Sequence, residues 1–527
     1  MIKNSNSDSK SYIIGGGIAG LSAAAFLLTD ANIKGRNIYI FDRDEKNGGS
    51  FDGQKTDNEA YICRGYRMFE KKIYLSTYDL LAKIPSITNP KKNLKDEFFE
   101  FNKKVKIHAK ARLMEKGKIL DSNRMQLNWR DRVNLINLLY FPEKYFGTTQ
   151  IKEYFTPDFF KSNFWVAWCT TFAFEPWHSL VEMRRYIARF VHDAPTHNTM
   201  SCVLSAPYSE HDFFILPLVK WLKENGVNFI QNCKITDIEF EEHKNNKTAK
   251  TITIQKKKKE KIQLNKNDLV FFTNGSITAD SSVGSMVKAP KISTKKSDSW
   301  ALWKKLAKRF SDMGDPSVFL SSVNKTKWTS FTITFKDPTF FKLVEKMSGN
   351  KAGTGGIITF KDSNWLMSIT LPYQPYFIGQ PKNTFVCWGY GLMPDKIGNF
   401  VKKKMSDCNG KEILEELCQH IGFKKEATEI IKKAVCIPVM MPYITSQFMP
   451  RKVSDRPKVI PKGFKNFAFI GQYVEIPHEI VFTVECSIRS AKIAVNKLLN
   501  ISNNIPPLYQ KKYSAKCLYD AIKTILK

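Results

Sequence analysis

A chain of 527 residues, 43% hydrophobic and 13% aromatic, has the apolar content for a large buried core, which excludes intrinsically disordered, collagen-like and coiled-coil classes. At roughly 150 residues per domain, the length predicts about three to four domains. The 82 Lys and Arg against 50 Asp and Glu leave a formal net charge of +32, which favours nucleic acid, an anionic membrane surface or an acidic substrate without choosing among them; a lysine-rich solvated surface is the plainer alternative.

The chain opens MIKNSNSDSK, with no apolar segment of the kind a secretory signal needs, and no apolar run reaches the roughly 18 residues of a membrane-spanning helix. Residues 12–14 (YII) and 38–41 (IYIF) have strand length, and LSAAAFLLTD between them has helix composition, which predicts a βαβ unit. From Tyr61 to about Phe172, aromatics, mixed charge and the helical spacing of RDRVNLINLLYF predict an α-rich insertion. FFILPLVKWLK (213–223) predicts a helix; GVNFIQN, KITDIEFEE, TITIQ and DLVFFTNGS predict strands, with HKNNKTAK and QKKKKEK as hairpin loops. Residues 290–430 mix strand-like FTITF, GGIITF and FVCWGYG with helix-like KEILEELCQHIGF. Strand NFAFIG and helix VFTVECSIRSAKIAVNKLL then return to the αβ pattern. The ten cysteines include no C-x-x-C pair, so neither zinc nor dithiol chemistry is expected and reduced thiols in a cytosolic protein are the economical reading.

Gly15-x-Gly17-x-x-Gly20, with Ala19 inside the turn, follows a strand and opens a helix, and Asp42 ends the next strand 22 residues after Gly20. The glycines permit a tight turn, approach of a diphosphate to backbone and close helix–strand packing; the acid suits ribose hydroxyls. FAD is favoured over NAD because Gly48-Gly49-Ser50 and a late unit ending in Gly471-Gln472 look like the pattern of two-domain flavoproteins. There a helix beginning near Val481 would direct its N-terminus at the flavin. The expected fold is α/β: a Rossmann-type FAD domain assembled from 1–130, 206–285 and 436–500, a helical substrate or lid segment at 131–205, an inserted mixed α/β substrate domain at 286–435, and a basic tail at 501–527.

Several blocks carry a family resemblance: RGYRM, FFKSNFWVAW, FAFEPWHSLVEMRRYIARF, GYGLMPD, MPYITSQFMPRKVSDRP and NFAFIGQYVEIPHEIVFTVE. Through these and the nucleotide motif the chain resembles the oleate hydratases, also called myosin-cross-reactive antigens, which are FAD-containing fatty acid hydratases. The resemblance implies addition of water across the cis-9 double bond of oleate or a related fatty acid, giving the 10-hydroxy acid. It points to Tyr186 as proton donor and to Arg64 and Gly65 in a flavin-side loop. It also exposes a departure, because Met68 stands where the family's water-polarising glutamate belongs and Tyr66 replaces a glycine. Three readings stay open: Glu70 takes the role, backbone and flavin hold the water, or hydration has been lost.

Thr445, Gln447 and Arg451 match the region that anchors the fatty acid carboxylate, and Tyr373 stands where an arginine is usual. Asn274 is a flavin-side candidate, and His178 reads as a structural histidine. No metal is expected. Alternatives are an FAD-dependent oxidoreductase or isomerase of the amine oxidase and desaturase type, and a non-catalytic lipid-binding flavoprotein. With no recognition motif for nucleic acid, the charge and the tail YQKKYSAKCLYDAIKTILK predict a cytoplasmic protein peripheral to an anionic membrane, with a homodimer as a possible assembly.

Overall fold

A computed structural model of the chain describes residues 9–56, 60–292, 298–502, 505–509 and 514–526. Residues 1–8 of the polar opening, and 510–513 and 527 of the basic tail, lie outside the described residues.

Five parallel strands form one sheet in the order Phe467–Ile470, Leu269–Thr273, Ser11–Ile14, Ile38–Phe41, Asn228–Ile230. Parallel strands require crossovers that cover the sheet faces, so their side chains read as continuous apolar runs. Helices Ile18–Thr29 and Val484–Leu498 pack on each other against this sheet. The first is rich in alanine and buried along nearly its whole length. Gly20 permits its close seat, since a Cβ there would stand 2.0 Å from the Gly15 carbonyl oxygen. Gly15 itself has a φ of +109°, a conformation that only glycine adopts without strain.

Beside this sheet, Lys234–His243, Asn246–Gln255 and Lys259–Gln263 form an antiparallel meander. The first expected loop, HKNNKTAK, is mostly strand: the turn is reduced to Lys244 and Asn245, and residues 246–249 pair with the preceding strand. Their polar composition carries no alternation, so cross-strand pairing supplies the order that sequence pattern did not.

The second sheet has eight strands in the order Ser282–Val283, Ala434–Met441, Trp328–Phe335, Phe385–Gly391, Met367–Thr370, Ile357–Phe360, Leu113–Glu115, Lys118–Ile119. Its last two strands come from within the expected α-rich insertion, which otherwise supplies helices Leu75–Leu81, Leu94–Lys104, Trp129–Tyr140 and Asn163–Phe172. Its second strand crosses position 435. The pleat divides the sheet's labour. Phe331, Ile333, Phe335 and Cys387 face a core shared with helices Thr339–Ser348 and Gly410–Ile421, whereas Trp328, Trp388 and Tyr390 line a cavity on the opposite side.

Candidate functional site

Two concavities adjoin at Ser50, Ile277 and Gln472, which line both. The first is a groove of about 200 Å³ at the carboxyl ends of the parallel strands, the position at which open α/β sheets bind ligands. Gly15, Gly17, Ala19, Asp42, Gly49, Ser50 and Gly471 all line it. A bridge between Gly17 and Gly48 holds the second glycine pair against the first turn. Helix Ile18–Thr29 starts after Gly17 with no side-chain cap, so its first amides are not satisfied by a capping side chain. Asp42 accepts the Gly16 N–H at 2.7 Å and the Asp44 N–H at 3.0 Å, and burial pushes its carboxyl above the ordinary value.

Of the other expected cofactor residues, Arg64 and Gly65 line the second concavity, and Gly20, Asn274 and Val481 line neither. Gly20 is a packing residue under the turn, as described. Asn274 is fully buried and donates to the Tyr473 carbonyl at 3.1 Å. Val481 precedes the helix, which begins at Val484 with Thr483 as its cap, and Phe482, Thr483 and Val484 reach the cavity wall in its place.

The second concavity, about 270 Å³, is predominantly apolar. Its wall combines Tyr66, Met68 and Glu70, Leu135 and Leu139, Phe172, Tyr186 and Phe190, the indoles Trp168, Trp328 and Trp388, and Leu518, Ile522 and Ile525 of the C-terminal helix Ala515–Ile525. Arg64 fixes the loop between the two concavities: its Nε lies 2.6 Å from Asp52, Nη1 donates to the Thr278 carbonyl and Nη2 to the Gly49 carbonyl at 2.7 Å. Gly65 leaves room for Arg67, whose Nη1 would stand 2.4 Å from an added Cβ and whose Nη2 donates to the Ser50 carbonyl.

Tyr186 lies on helix Leu180–Phe190, buried among Phe172, Phe174, Phe190 and Phe448, and its phenol donates to the Val481 carbonyl. Burial holds its proton on well above the usual tyrosine range, helped by Tyr74 and Glu182 nearby. Met68 packs with Met200, Ile107 and Ile357. Glu70 is buried, and its Oε2 accepts the N–H groups of Lys72 and Ile73 at 2.6 and 2.7 Å.

The residues expected to anchor a fatty acid carboxylate do not reach this wall. Thr445 donates to the Thr326 carbonyl, and Gln447 is wholly buried with no side-chain hydrogen-bond partner among the described residues. Arg451 sits 3.0 Å from Glu182 and 2.7 Å from Glu475, inside a buried ion cluster that also joins Arg185, Glu143 and Arg456. A guanidinium neutralised by two buried carboxylates is not available to a third. Tyr373 is exposed and packs edge-on against Phe101. His178 is structural as expected: its Nδ1 accepts the Glu175 N–H at 2.8 Å, and burial keeps the ring neutral.

Sequence reasoning passed over the indole N–H groups of Trp168, Trp328 and Trp388 and the ring of His197, all on the cavity wall and unpartnered among the described residues at Nε1 or Nε2. Burial and the nearby Arg112 push His197 down to about 4, so it is a neutral imidazole. These residues come from four separate segments with no shared motif. Only the fold collects them.

Comparison with known proteins follows the same lines. The sequence model of the MCRA family matches residues 8–496. The chain is 39% identical over 527 residues to an oleate hydratase of Streptococcus pyogenes serotype M49 (strain NZ131), covering 98% of this chain and 89% of that one. It is 32% identical over 531 residues to a linoleate hydratase of Lactiplantibacillus plantarum, covering 92% and 93%. Among solved structures, cyclohexylamine oxidase from Brevibacterium oxydans IH-35A has a TM-score of 0.52 at 12% identity, covering 94% of this chain and 99% of that one. An oxidoreductase from Methanosarcina mazei has a TM-score of 0.51 at 12% identity, covering 93% and 100%. These last two are likenesses of fold.

Proposed function

The chain belongs to the MCRA family, and from that premise we propose that it is a fatty acid hydratase, adding water across the cis-9 double bond of oleate or a related unsaturated acid to give the 10-hydroxy acid. The observation that carries this reading is Tyr186: a proton-bearing phenol on the wall of an apolar cavity that opens beside a dinucleotide groove.

FAD fits the groove on this chain's own residues. A Cβ at Gly16 would stand 2.5 Å from Asp42 Oδ2, so glycine there lets the turn close against the acid that ends the second strand. Hydration transfers no net electrons, and the cofactor when bound would supply shape and electrostatic stabilisation. Gly15, Gly17 and the first turn of helix Ile18–Thr29 would hold the diphosphate, Asp42 the ribose, and Arg64 the loop that separates cofactor from substrate.

An isolated alkene is a poor electrophile and a buried phenol is a weak acid. Proton donation by Tyr186 to one carbon therefore has to be concerted with attack of water on the other, and that water has to lose a proton to a base. Met68 cannot accept one. Burial among apolar side chains excludes bulk water, which keeps the reaction to a water held by the protein.

The test is to incubate the flavin-loaded protein with oleate and with linoleate and to weigh the products. Gain of one water without consumption of oxidant supports hydration; loss of two hydrogens or release of hydrogen peroxide sinks it in favour of an oxidase.

We further propose that the cavity mouth docks on an anionic membrane. Helices Trp129–Tyr140 and Ala515–Ile525 line the cavity with one face, while on the other Trp129 is 78% exposed and Tyr519 65%. Phe141, Tyr145 and Leu526 are also exposed, beside Arg130, Lys144, Lys516 and Lys523. Aromatics and aliphatics interleaved with cations suit the headgroup boundary, each cation contributing about 1 kcal/mol near anionic lipid. Among the described residues no helix is long and apolar enough to cross a membrane. Trp129→Ala with Lys516→Glu and Lys523→Glu should reduce co-sedimentation with phosphatidylglycerol vesicles; binding equal to the parent's would refute the docking face.

A further inference from the structure

Beyond helix Leu180–Phe190 the chain turns through Val191–Thr196, against which the C-terminal helix packs. This turn carries His192 and Asp193 to the short strand Phe69–Glu70. His192 Nε2 lies 3.3 Å from Asp193 Oδ2 and 3.6 Å from Glu70 Oε1, and all three atoms fall within 4.8 Å of one another. The His192 side chain is only 5% exposed, and neither ring nitrogen has a hydrogen-bond partner among the described residues. Glu70 and Asp193 both line the cavity that Tyr186 lines.

Each carboxylate has a particular constraint. Glu70 Oε2 is pinned by the Lys72 and Ile73 amides, which leaves Oε1 as the oxygen turned to His192. Asp193 is pushed up to about 6, chiefly by burial and further by Glu70, against the opposing pull of His192, Lys72 and a hydrogen bond from Cys202. Two carboxylates and an imidazole at the edge of an apolar cavity are costly unless a ligand satisfies them. The contacts to Nε2 are too long for strong direct hydrogen bonds. The ligand atoms of the three groups lie within 4.8 Å of one another, close enough for a single buried water, which takes two to four polar partners, to touch all of them.

We propose that Glu70, Asp193 and His192 bind the water that adds to the double bond, with Glu70 as its base and the other two as positioning residues, in place of the carboxylate that Met68 lacks. This deepens the hydratase reading and rests on it. The Tyr186 O–H bond breaks and its proton takes the alkene π pair to form the new C–H bond. A lone pair of the held water forms the C–O bond to the other carbon, and one proton of that water passes to Glu70 Oε1. Release of that proton from Glu70 and return of one to the Tyr186 oxygen through solvent close the cycle. One alkene and one water give one alcohol, with no oxidant or reductant.

The experiment uses the full-length, flavin-loaded protein with oleate. Glu70→Gln should lower kcat by about 100-fold or more, the usual scale of general-base catalysis, with KM little changed. Asp193→Asn and His192→Gln should each lower kcat by about tenfold or more, again with flavin absorbance and Tm retained. Adding Met68→Glu to Glu70→Gln should restore kcat at least about tenfold, which a merely structural Glu70 would not permit. Should Glu70→Gln fail to fold or lose flavin, Asp193→Asn and His192→Gln decide. If the parent hydrates oleate and these variants stay within about threefold of it, the proposal is overturned while the hydratase reading stands. If the parent forms no hydroxy acid, that reading itself fails. One equivalent of tightly held zinc whose removal abolishes hydration would also overturn the proposal, making the same three side chains a metal site.

Discussion

Tyr186→Phe removes one oxygen and leaves the ring, so its two consequences separate cleanly. The ring contacts with Phe172, Phe174, Phe190 and Phe448 persist in the variant. What is lost structurally is the hydrogen bond to the buried Val481 carbonyl, and an unsatisfied buried acceptor costs about 1–3 kcal/mol. What is lost chemically is the proton. A general acid contributes about 10²- to 10⁴-fold, so kcat should fall by at least about 100-fold. Because burial holds the phenol protonated well above pH 10, the parent's kcat should show no limb from Tyr186 between pH 6 and 9. The assay is hydroxy acid formation from oleate by mass spectrometry, with flavin absorbance and thermal unfolding run in parallel. A variant that keeps its flavin and its rate would refute Tyr186 as the acid. A variant that loses rate only in proportion to lost flavin would assign the residue to packing.

Arg451→Met should lower stability by about 1.5–3 kcal/mol, because Glu182 and Glu475 each lose one charged partner while keeping Arg456 and Arg185, measurable by urea unfolding without substrate; a raised KM at unchanged stability would instead return Arg451 to the role of carboxylate anchor. Gly16→Ala should purify without flavin while keeping its circular dichroism, since the new Cβ meets Asp42 at 2.5 Å; normal flavin content would argue against the groove as the cofactor site. Glu175 is pushed up to about 8, first by burial, so the folded state binds its proton more tightly than the unfolded chain does. Its contribution to stability is therefore largest below the unfolded value of about 4.3 and declines as pH rises toward 8. Glu175→Gln should consequently raise Tm at pH 8 relative to pH 5, and an equal shift at both would contradict the assignment.

Legibility in the sequence followed locality. The glycine turn, its strand and helix and Asp42 lie within about thirty consecutive residues, each constrained by backbone geometry alone, and the groove they form is where spacing put it. The strand Leu113–Glu115 was not legible, because it pairs with Ile357–Phe360 some 245 positions away and its three residues carry no period of their own. Arg451 misled for a related reason. A cation in a matching motif reads as a ligand-binding group until the two carboxylates that neutralise it, Glu182 and Glu475, are brought in by other elements. His192 and Asp193 were legible as residues and invisible as a site, since their partner Glu70 precedes them by more than a hundred positions.

The same pairing across distance ties the fold to the chemistry. Thr332 and Thr334 turn their hydroxyls to the face of the eight-stranded sheet opposite Phe331 and Ile333, and there accept the Cys63 N–H at 3.1 Å and the Tyr61 N–H at 2.9 Å. Strand Tyr61–Cys63 is thereby hooked to the second sheet immediately before Arg64, while Arg64 reaches back to Gly49 on the wall of the groove at the strand ends. The loop from Arg64 to Glu70 is thus held at its start, by the Thr332 and Thr334 hydroxyls on one side and by the Arg64 guanidinium on the other, and at its end by pairing of Phe69 and Glu70 with Leu204 and Val203. A loop fixed in this way presents successive residues at defined places on the cavity wall, so exchanging a carboxylate for Met68 leaves the neighbouring Glu70 on the same wall. A change of catalytic side chain within it requires no change of fold, only a second carboxylate and an imidazole within reach, and the turn at His192 and Asp193 brings both.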